Sequence, residues 1–329
     1  MSQTSGNQGM NEQLGIIIDT GNRIFADGVD KAVLDTAERG EFAQSLWDAV
    51  VATGFHVVGS ADSGTGLTEL FALLDVAGTH AAPLPLVETL LANAWFGAAD
   101  DVSSIGILDG NWIVDVPWGR RARRVIGIRP DSGECVIVEQ VDVVDQRVNL
   151  AGEPRDVVKV PGTARKSSTS NSSESAWSLL ALGRAVQTGG VLSTVLDIAL
   201  QYAGERAQFG RTLSKFQAIQ HSLAVQAAEV AAARRAATGA VDAAGTTRFE
   251  AEVAAAKIRA GDAATVVGEA AHQALGAIGY THEHRLHHFT RRAWAWRDEY
   301  GNEFDWQRKL GAMIAGDGAD NVWSFITGR

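Results

Sequence analysis

The sequence has little cysteine, little proline and no excess of basic residues, and each shortage excludes a class of protein. Its 329 residues include one cysteine, Cys135, which excludes an intramolecular disulfide and a multi-cysteine metal site. A reducing, cytoplasmic setting is therefore expected. The formal net charge of −10 argues against non-specific nucleic-acid binding, because such binding requires a cationic surface.

Long uncharged apolar runs are also missing, so we expect no membrane-spanning segment. The longest candidate, Thr188–Ala203, is interrupted by Asp197. The N-terminal residues MSQTSGNQGMNEQ lack the cationic start and apolar run of a signal peptide. The content of 46% hydrophobic and 21% charged residues is typical of a globular protein with a large core.

The placement of the six prolines divides the chain. All six lie between Pro83 and Pro161, and the Ala-rich remainder has none, which favours long helices there. The predicted class is α+β and mainly α, and the predicted order along the chain is helices, then strands, then helices. The predicted parts are an N-terminal helical domain (1–100), a small β domain (101–161), a Ser-rich linker (162–174) and a C-terminal bundle of four or five helices (175–329).

Apolar periodicity and turn signals predict individual elements within these parts. Helices are predicted over 30–52, 67–76, 84–95, 175–203, 213–240, 249–275, 283–296 and 304–314. Asp109-Gly110 predicts a β-hairpin turn, and the strands after it are predicted to continue as a meander.

The stretch Gly204–Ala224, GERAQFGRTLSKFQAIQHSLA, is the most informative in the chain. Arg206 and Phe209 precede a glycine, and an amphipathic helix follows. An arginine offers fixed donors to a pyrophosphate, and glycine permits a sharp backbone turn where a side chain would clash. The pattern indicates a loop that grips a flat, anionic cofactor at the corner of a helical bundle.

Two motifs, together with the order of elements, resemble the acyl-CoA dehydrogenase family of flavoproteins. The first is ERAQFGR followed by FQAIQH, within 205–221. The second is QALGAIGYTHEH, Gln273–His284, with Arg291 and Arg292 after it. The resemblance covers most of the third part of the chain and is weaker over the first 160 residues.

The resemblance implies that the chain binds FAD through residues of both motifs. Arg206 and Phe209 match the pair that contacts the FAD pyrophosphate and adenosine region, and Gln208 lies between them. A further match is to the Gln-x-x-Gly-Gly segment that approaches the same diphosphate from a neighbouring subunit, and its residues here are Gln273, Gly276 and Ala277. An FAD held by two subunits implies an oligomer.

The sequence departs from the family pattern at the flavin ring and at the catalytic base. The Thr-Glu-Pro-like, Gly-Ser-rich segment that packs on the ring is not found in the β part. Tyr300 aligns with the usual base, and Leu180 aligns with its alternative position. Glu299 is therefore the candidate base, with Asp298 and Glu303 behind it, and the alternative is that these acids form a solvated turn.

These departures resemble the short subunits of heteromeric acyl-CoA dehydrogenases that act on steroid and other bulky acyl chains in actinobacteria. The resemblance implies an acyl-CoA substrate and a longer partner subunit that completes the flavin pocket and often carries the base. Two alternatives stay open. The chain could be a catalytically silent structural subunit, or a self-sufficient homo-oligomer with a relocated base.

Three other groups of residues have simpler interpretations. A histidine cluster places His284 and His288 one helical turn apart, but apart from Glu283 no acidic or cysteine ligand stands at a persuasive spacing, so we expect no metal site. The arginines of 120–124 are interpreted as an exposed strand, or as contacts to CoA phosphates or an acidic partner. The last group consists of Trp294, Trp296 and Trp306. These tryptophans are interpreted as core residues rather than as the lining of an acyl pocket.

Overall fold

The computed structural model describes residues 2–168 and 175–327, and helices dominate it. The helices are α1 (Ser2–Gly28), α2 (Lys31–Ala37), α3 (Gln44–Ala52), α4 (Leu67–Thr79), α5 (Leu86–Phe96), α6 (Ala176–Glu205), α7 (Gln217–Asp242), α8 (Phe249–Leu275), α9 (Leu286–Asp298), α10 (Glu303–Asp317) and α11 (Val322–Thr327). The strands are β1 (Ser103–Asp109), β2 (Trp112–Pro117), β3 (Arg124–Ile128), β4 (Glu134–Val138), β5 (Val143–Asp145), β6 (Arg155–Lys159), β7 (Arg165–Ser168), β8 (Ala207–Gln208) and β9 (Arg211–Thr212). The predicted α+β, mainly α class and the order of helices, strands and helices are confirmed.

The N-terminal part differs from the prediction in two ways. A long helix, α1, precedes the first predicted one. The helix predicted over 30–52 is two helices, because the chain leaves helical geometry after Glu38 and passes through Gly40 at a φ of 83°. Asp30 begins α2 by accepting a hydrogen bond from the Val33 N–H at 2.8 Å.

The middle part is one sheet of seven strands in the order β5-β6-β2-β1-β3-β4-β7. The predicted hairpin is confirmed, since β1 and β2 pair up to Asp109 and Trp112 around Gly110. The predicted meander is wrong, because β1 pairs with β3 in parallel and the chain crosses over after β2. Strand β7 extends the sheet into the predicted linker, and residues 169–174 of that linker lie outside the described residues.

The C-terminal part is a bundle in which α7 runs antiparallel to α6 and to α8, because short connections join these helices in turn and side chains meet across them at Ser193–Arg234 and Glu229–Arg259. The predicted bounds of α8 are confirmed, whereas α7 begins at Gln217 rather than at 213 because a short 3₁₀ turn occupies 213–215. Among the described helices only α6 is long and apolar enough to cross a membrane, but 83% of its apolar stretch is buried within the protein. Its apolar surface is therefore used for packing.

Close approach of α4 and α6 joins the N-terminal helices to the bundle. A Cβ added at Gly78 would lie 2.7 Å from Gln187 Cα, and one added at Gly190 would lie 2.7 Å from the Thr79 nitrogen. Two glycines therefore allow the two backbones to touch.

One continuous apolar core extends from α1 through the sheet to α6, α8 and α10, and a second fills the far half of the bundle.

Candidate functional site

The first part of the candidate site is a small hairpin at the end of α6. Strands β8 and β9 pair through Ala207↔Thr212 and Gln208↔Arg211. Phe209 and Gly210 form its two-residue turn, with φ of 52° and 78°, and the positive φ at both positions is typical of a type I′ turn. A bulky residue is strained in this region, so Phe209 holds a conformation that its own preferences disfavour.

The side chains of this hairpin are directed to solvent. The Phe209 ring is 91% exposed, and Arg206 and Gln208 are exposed beside it. Within the described chain, the Phe209 ring contacts the Phe216 ring edge-on, with the ring centroids 6.3 Å apart. Arg211 lies over the Phe216 ring, with its guanidinium carbon 4.1 Å from the ring centroid.

Arg206 has no salt-bridge partner among residues 12–167 and 175–327. The acid next to it, Glu205, instead accepts a hydrogen bond from Gln201 Nε2 at 2.9 Å. A purely structural role for Arg206, as one member of an ion pair on the bundle surface, therefore has no support in this part of the chain. Its guanidinium is available to an anionic ligand.

The second predicted motif lies where α8 ends. Gln273 is exposed on the last turn, and Gly276 leaves helical geometry at a φ of 63° and ψ of −142°. Ala277 is exposed in the 3₁₀ turn that follows. Since α6 and α8 run in the same direction, the two motifs lie at the same end of the bundle, and both present exposed residues there.

The candidate base, Glu299, is held by two arginines rather than left free. Its Oε1 accepts from Arg155 Nη2 at 2.6 Å and from Asn149 Nδ2 at 3.1 Å, and its Oε2 accepts from Arg184 Nε at 2.6 Å. Burial by itself would raise the pKa of Glu299, but the charges of Arg155 and Arg184 outweigh it and lower the pKa to about 2. A carboxylate so stabilised accepts a proton poorly.

Arg184 links this carboxylate to a second buried acid. Its Nη2 donates to Glu88 Oε1 at 2.7 Å, and its Nη1 donates to Gln187 Oε1 at 2.7 Å. Tyr300 donates its hydroxyl to the same Glu88 oxygen at 2.5 Å. Burial, followed by the negative charge of Glu88, raises the pKa of Tyr300 well above its ordinary value, so this residue stays a hydrogen-bond donor.

A buried lysine fixes the chain segment that carries Glu299. Lys257 Nζ donates to the carbonyl oxygens of Trp296, Arg297 and Glu299 at 3.1, 3.0 and 2.7 Å, where α9 ends. Burial lowers the pKa of Lys257 to about 7, although the nearby Glu299 charge acts in the opposite direction. The ammonium group thus satisfies the last carbonyls of the helix.

A cavity of about 520 Å³ opens between the sheet and the bundle above this network. The cavity is lined by residues of β1, by the loop after β5, and by Arg155, Trp177, Glu299 and Tyr300. The Trp177 ring meets Tyr300 edge-on, with centroids 5.3 Å apart. The other predicted acids are placed differently: Asp298 lines the cavity, whereas Glu303 lies in the first turn of α10 near Arg297.

The predicted tryptophan group and the arginine run lie mainly in structural contacts. Trp296 and Trp306 are buried in the core, as predicted, and Trp294 is half-buried with its Nε1 donating to the Ala264 carbonyl at 3.2 Å. The arginine run is largely structural: Arg120 pairs with Asp156 at 2.6 Å, and Arg124 donates to Asn93 at 2.8 Å.

Comparison with known sequences identifies a similar family for the C-terminal part of the chain. Residues 175–302 match the family described as Acyl-CoA dehydrogenase, C-terminal domain, and this range contains both motifs. This part of the chain is therefore similar to the C-terminal domain of acyl-CoA dehydrogenases. The match includes the exposed hairpin, the end of α8 and Glu299.

Curated proteins match this chain over different lengths. Acyl-CoA dehydrogenase FadE34 of Mycobacterium tuberculosis is 34% identical over 216 residues, which are 62% of this chain and 26% of that protein. Acyl-CoA dehydrogenase IpdE2 of Mycolicibacterium smegmatis is 23% identical over 77% of this chain and 80% of its own length. The chain thus spans about a quarter of the first of these relatives.

Solved structures establish the same fold over nearly the whole chain. A chain of a Tcur3481-Tcur3483 steroid acyl-CoA dehydrogenase variant superposes with a TM-score of 0.81 at 23% identity, covering 94% of this chain and 99% of that one. A chain of the ChsE4-ChsE5 complex from Mycobacterium tuberculosis gives 0.80 at 19% identity, covering 92% and 97%.

Sequence reasoning missed the partners of Glu299 in this chain. Glu88 stands alone in the apolar segment LVETLLANAWF, and Arg184 stands alone in SLLALGRAV. A single charge within an otherwise apolar helix is usually paired when it is buried, and this signal could have identified both. No local pattern identifies Arg155 or Asn149, because they reach Glu299 from the sheet domain.

Proposed function

We propose that this chain is a subunit of an FAD-dependent acyl-CoA dehydrogenase that desaturates the α,β bond of an acyl-CoA thioester together with a longer partner subunit. The observation that carries the proposal is the strained, 91% exposed Phe209 on the hairpin at the end of α6. A folded chain gains nothing by holding an aromatic ring in water at a disfavoured φ, so the conformation is explained by a ligand.

The residues of the hairpin fit the anionic half of FAD. Arg206 offers a planar set of donors that suits a diphosphate, Gln208 adds an amide, and Phe209 offers a flat apolar face. At the same end of the bundle, Gln273 and the Gly276–Ala277 turn present a donor and a backbone with small side chains. FAD, when bound, supplies the electron acceptor for the β-hydride.

Sharing FAD between two chains explains why both motifs are exposed. We infer that the hairpin of this chain contacts the diphosphate of one flavin, and that the α8 turn approaches a flavin held mainly by the partner. Two relatives of the fold are heteromeric by name, the Tcur3481-Tcur3483 enzyme and the ChsE4-ChsE5 complex, and they support this arrangement.

Removal of the α-proton of the substrate is best assigned to a base on the partner. Both oxygens of Glu299 accept hydrogen bonds from arginines, and a carboxylate with a pKa of about 2 is far from the optimum for a general base at neutral pH. The role of Glu299 as base stays a prediction from the sequence. We propose instead that Glu299 positions Arg155 and Arg184 beside the cavity.

The substrate class proposed is a bulky acyl-CoA, including steroid-derived chains. The support is that one similar structure is a steroid acyl-CoA dehydrogenase. The cytoplasm remains the proposed location.

Arg206→Ala tests the cofactor assignment. The chain is co-expressed with the proposed longer partner subunit, and flavin per complex is measured by absorbance after purification. We expect Arg206→Ala to lose most of its FAD while its far-UV circular dichroism is unchanged. Arg235→Ala removes a similarly exposed arginine from α7, is the matched control and should retain stoichiometric flavin.

Retention of full flavin by Arg206→Ala would contradict the assignment of the hairpin. The same preparation addresses the second candidate function, a catalytically silent structural subunit, which the engaged Glu299 favours. Thioester oxidation by the partner alone, at the rate of the complex, would establish that alternative. Flavin and turnover from this chain alone would establish a self-sufficient homo-oligomer.

A further inference from the structure

We propose that Asp35, His287 and His288 form a binding site for a borderline divalent cation of the Zn²⁺ class, where α2 meets the first turn of α9. One ligand atom from each of these three residues lies within 4.8 Å of the others. None of the three lines the cavity beside Glu299 or belongs to the two flavin motifs. The site is therefore additional to the proposed function and independent of it.

The tautomer of His287 directs its second nitrogen toward this site. His287 Nδ1 lies 2.7 Å from the backbone carbonyl oxygen of His284. A carbonyl oxygen only accepts, so Nδ1 carries the proton and Nε2 presents a lone pair. Within the described part of the chain, this Nε2 is shielded from solvent and has no hydrogen-bond partner.

His288 is oriented in the same way by a carboxylate. Its Nδ1 lies 2.7 Å from Glu38 Oε1, and Glu38 is also an ion-pair partner of Arg291 and Arg292. An ionised carboxylate accepts the Nδ1 proton, which leaves Nε2 of His288 as a second buried lone pair without a hydrogen-bond partner among the described residues. His288 is completely buried, so bulk solvent does not reach this atom.

This pattern is the one by which proteins hold metal-binding histidines. A ligating imidazole usually donates its other N–H to a carboxylate or a backbone carbonyl, and the chain offers one acceptor of each kind. The third ligand is Asp35, whose Oδ1 lies 3.2 Å from His288 Nε2 while Lys31 binds its Oδ2. Two imidazoles and one carboxylate suit Zn²⁺ and related ions far better than Mg²⁺ or Ca²⁺.

Small side-chain rotations are enough to close the site. Tetrahedral zinc coordination brings ligand atoms to about 3.3 Å from one another, and the three atoms start within 4.8 Å. A fourth position stays open for water. The bound ion would connect α2 to α9, so binding should stabilise the fold.

The competing explanation is a proton in place of the metal. A charged His288 could bridge Glu38 and Asp35, but that arrangement leaves the buried Nε2 of His287 without a partner. The metal explains both orphan nitrogens at once. The proposal also revises the prediction from the sequence, which paired His284 with His288 and expected no metal.

The test measures Zn²⁺ and Co²⁺ binding to the full, tag-free chain after treatment with a chelator. We expect one Zn²⁺ per chain by calorimetry, a visible Co²⁺ absorption band of low-coordinate type, and a rise in Tm of at least about 4 °C with excess Zn²⁺. Mg²⁺ and Ca²⁺ should give no such rise. His287→Gln and Asp35→Asn should each weaken Zn²⁺ binding at least tenfold.

His221→Gln is the matched control, because His221 is an exposed histidine on α7. It should bind Zn²⁺ as the parent chain does. Far-UV circular dichroism confirms that each variant is folded. The proposal is overturned if the folded parent chain binds no Zn²⁺, or if His287→Gln and Asp35→Asn bind it as tightly as the parent.

Discussion

At the scale of single residues, Glu299 is a carboxylate that could act as a base, but its contacts give it a structural role. It contacts Arg155 from the sheet and Arg184 from α6, so one carboxylate joins two parts of the fold. Both arginines are almost fully buried, and without Glu299 each would lose its shortest charge contact on that side, leaving Arg184 with Glu88 and Arg155 with Glu153 at 3.7 Å. Removing one partner of a buried pair is strongly destabilising for this reason.

Glu299→Gln should lower the free energy of unfolding at pH 7 by about 3–5 kcal/mol, measured by urea denaturation. Because the folded pKa of about 2 lies below the ordinary 4.5, the charged carboxylate contributes stability above about pH 4.5. This contribution, on the order of 3 kcal/mol, is lost as the pH falls from 4.5 towards 2. The variant should lack that component of the acid loss.

The matched control for this prediction is Asp298→Asn, which changes a neighbouring carboxylate that is 61% exposed. Its effect should stay within about 0.5 kcal/mol. Equal stability of Glu299→Gln and the parent chain would show that the arginines do not depend on Glu299. A fully stable Glu299→Gln complex without turnover would return this residue to the role of base.

At the scale of elements, the contact between α4 and α6 depends on the absence of side chains. Gly190 faces the backbone of α4, where an added Cβ would overlap the Asp75 carbonyl oxygen and lie 2.7 Å from the Thr79 nitrogen. Both are backbone atoms of a helix, so neither can move aside alone. The helix axes must separate if Gly190 gains a methyl group.

Gly190→Ala should therefore destabilise the chain by about 1–3 kcal/mol, although alanine is the better helix former. Thermal and urea denaturation measure the effect. Gly311→Ala on α10 is the control, because no described residue lies within 4 Å of its added Cβ and the change should stabilise by about 0.4–1 kcal/mol. A stabilised Gly190→Ala variant would contradict the close packing of the two helices.

At the scale of the whole molecule, the three parts predicted from the sequence share one core. Buried side chains form a continuous cluster from α1 through the sheet to α6, α8 and α10. Leu180 on α6 lies within it and is fully buried. Unfolding the sheet would expose apolar surface of the bundle, so the parts should lose structure together.

Leu180→Ala should lower the free energy of unfolding by about 2–5 kcal/mol, from lost burial and the cavity that remains. Because the core is shared, tryptophan fluorescence and far-UV circular dichroism should report the same lowered midpoint. Leu200→Ala, on the exposed side of the same helix, should change it by less than about 0.5 kcal/mol. Separated midpoints for the two signals would show that the parts unfold independently.

The sequence by itself determined the class of fold, the family motifs and most helix positions, because these depend on local features. Proline placement, apolar periodicity and the QFGR and QALGAIG segments are readable without knowing what packs against them. It did not determine the strand order, in which β1 pairs with β3 in parallel, since pairing partners are chosen by long-range packing.

Only the tertiary structure decided what the charged residues of the site do. Glu299 is adjacent in sequence to the aligned base position, yet Asn149 and Arg155 from the sheet and Arg184 from α6 engage its oxygens. In the same way, Asp35 meets His287 and His288 across about 250 positions of the chain. The strength of a carboxylate as a base and the capacity of imidazoles to hold a metal depend on surroundings that folding alone assembles.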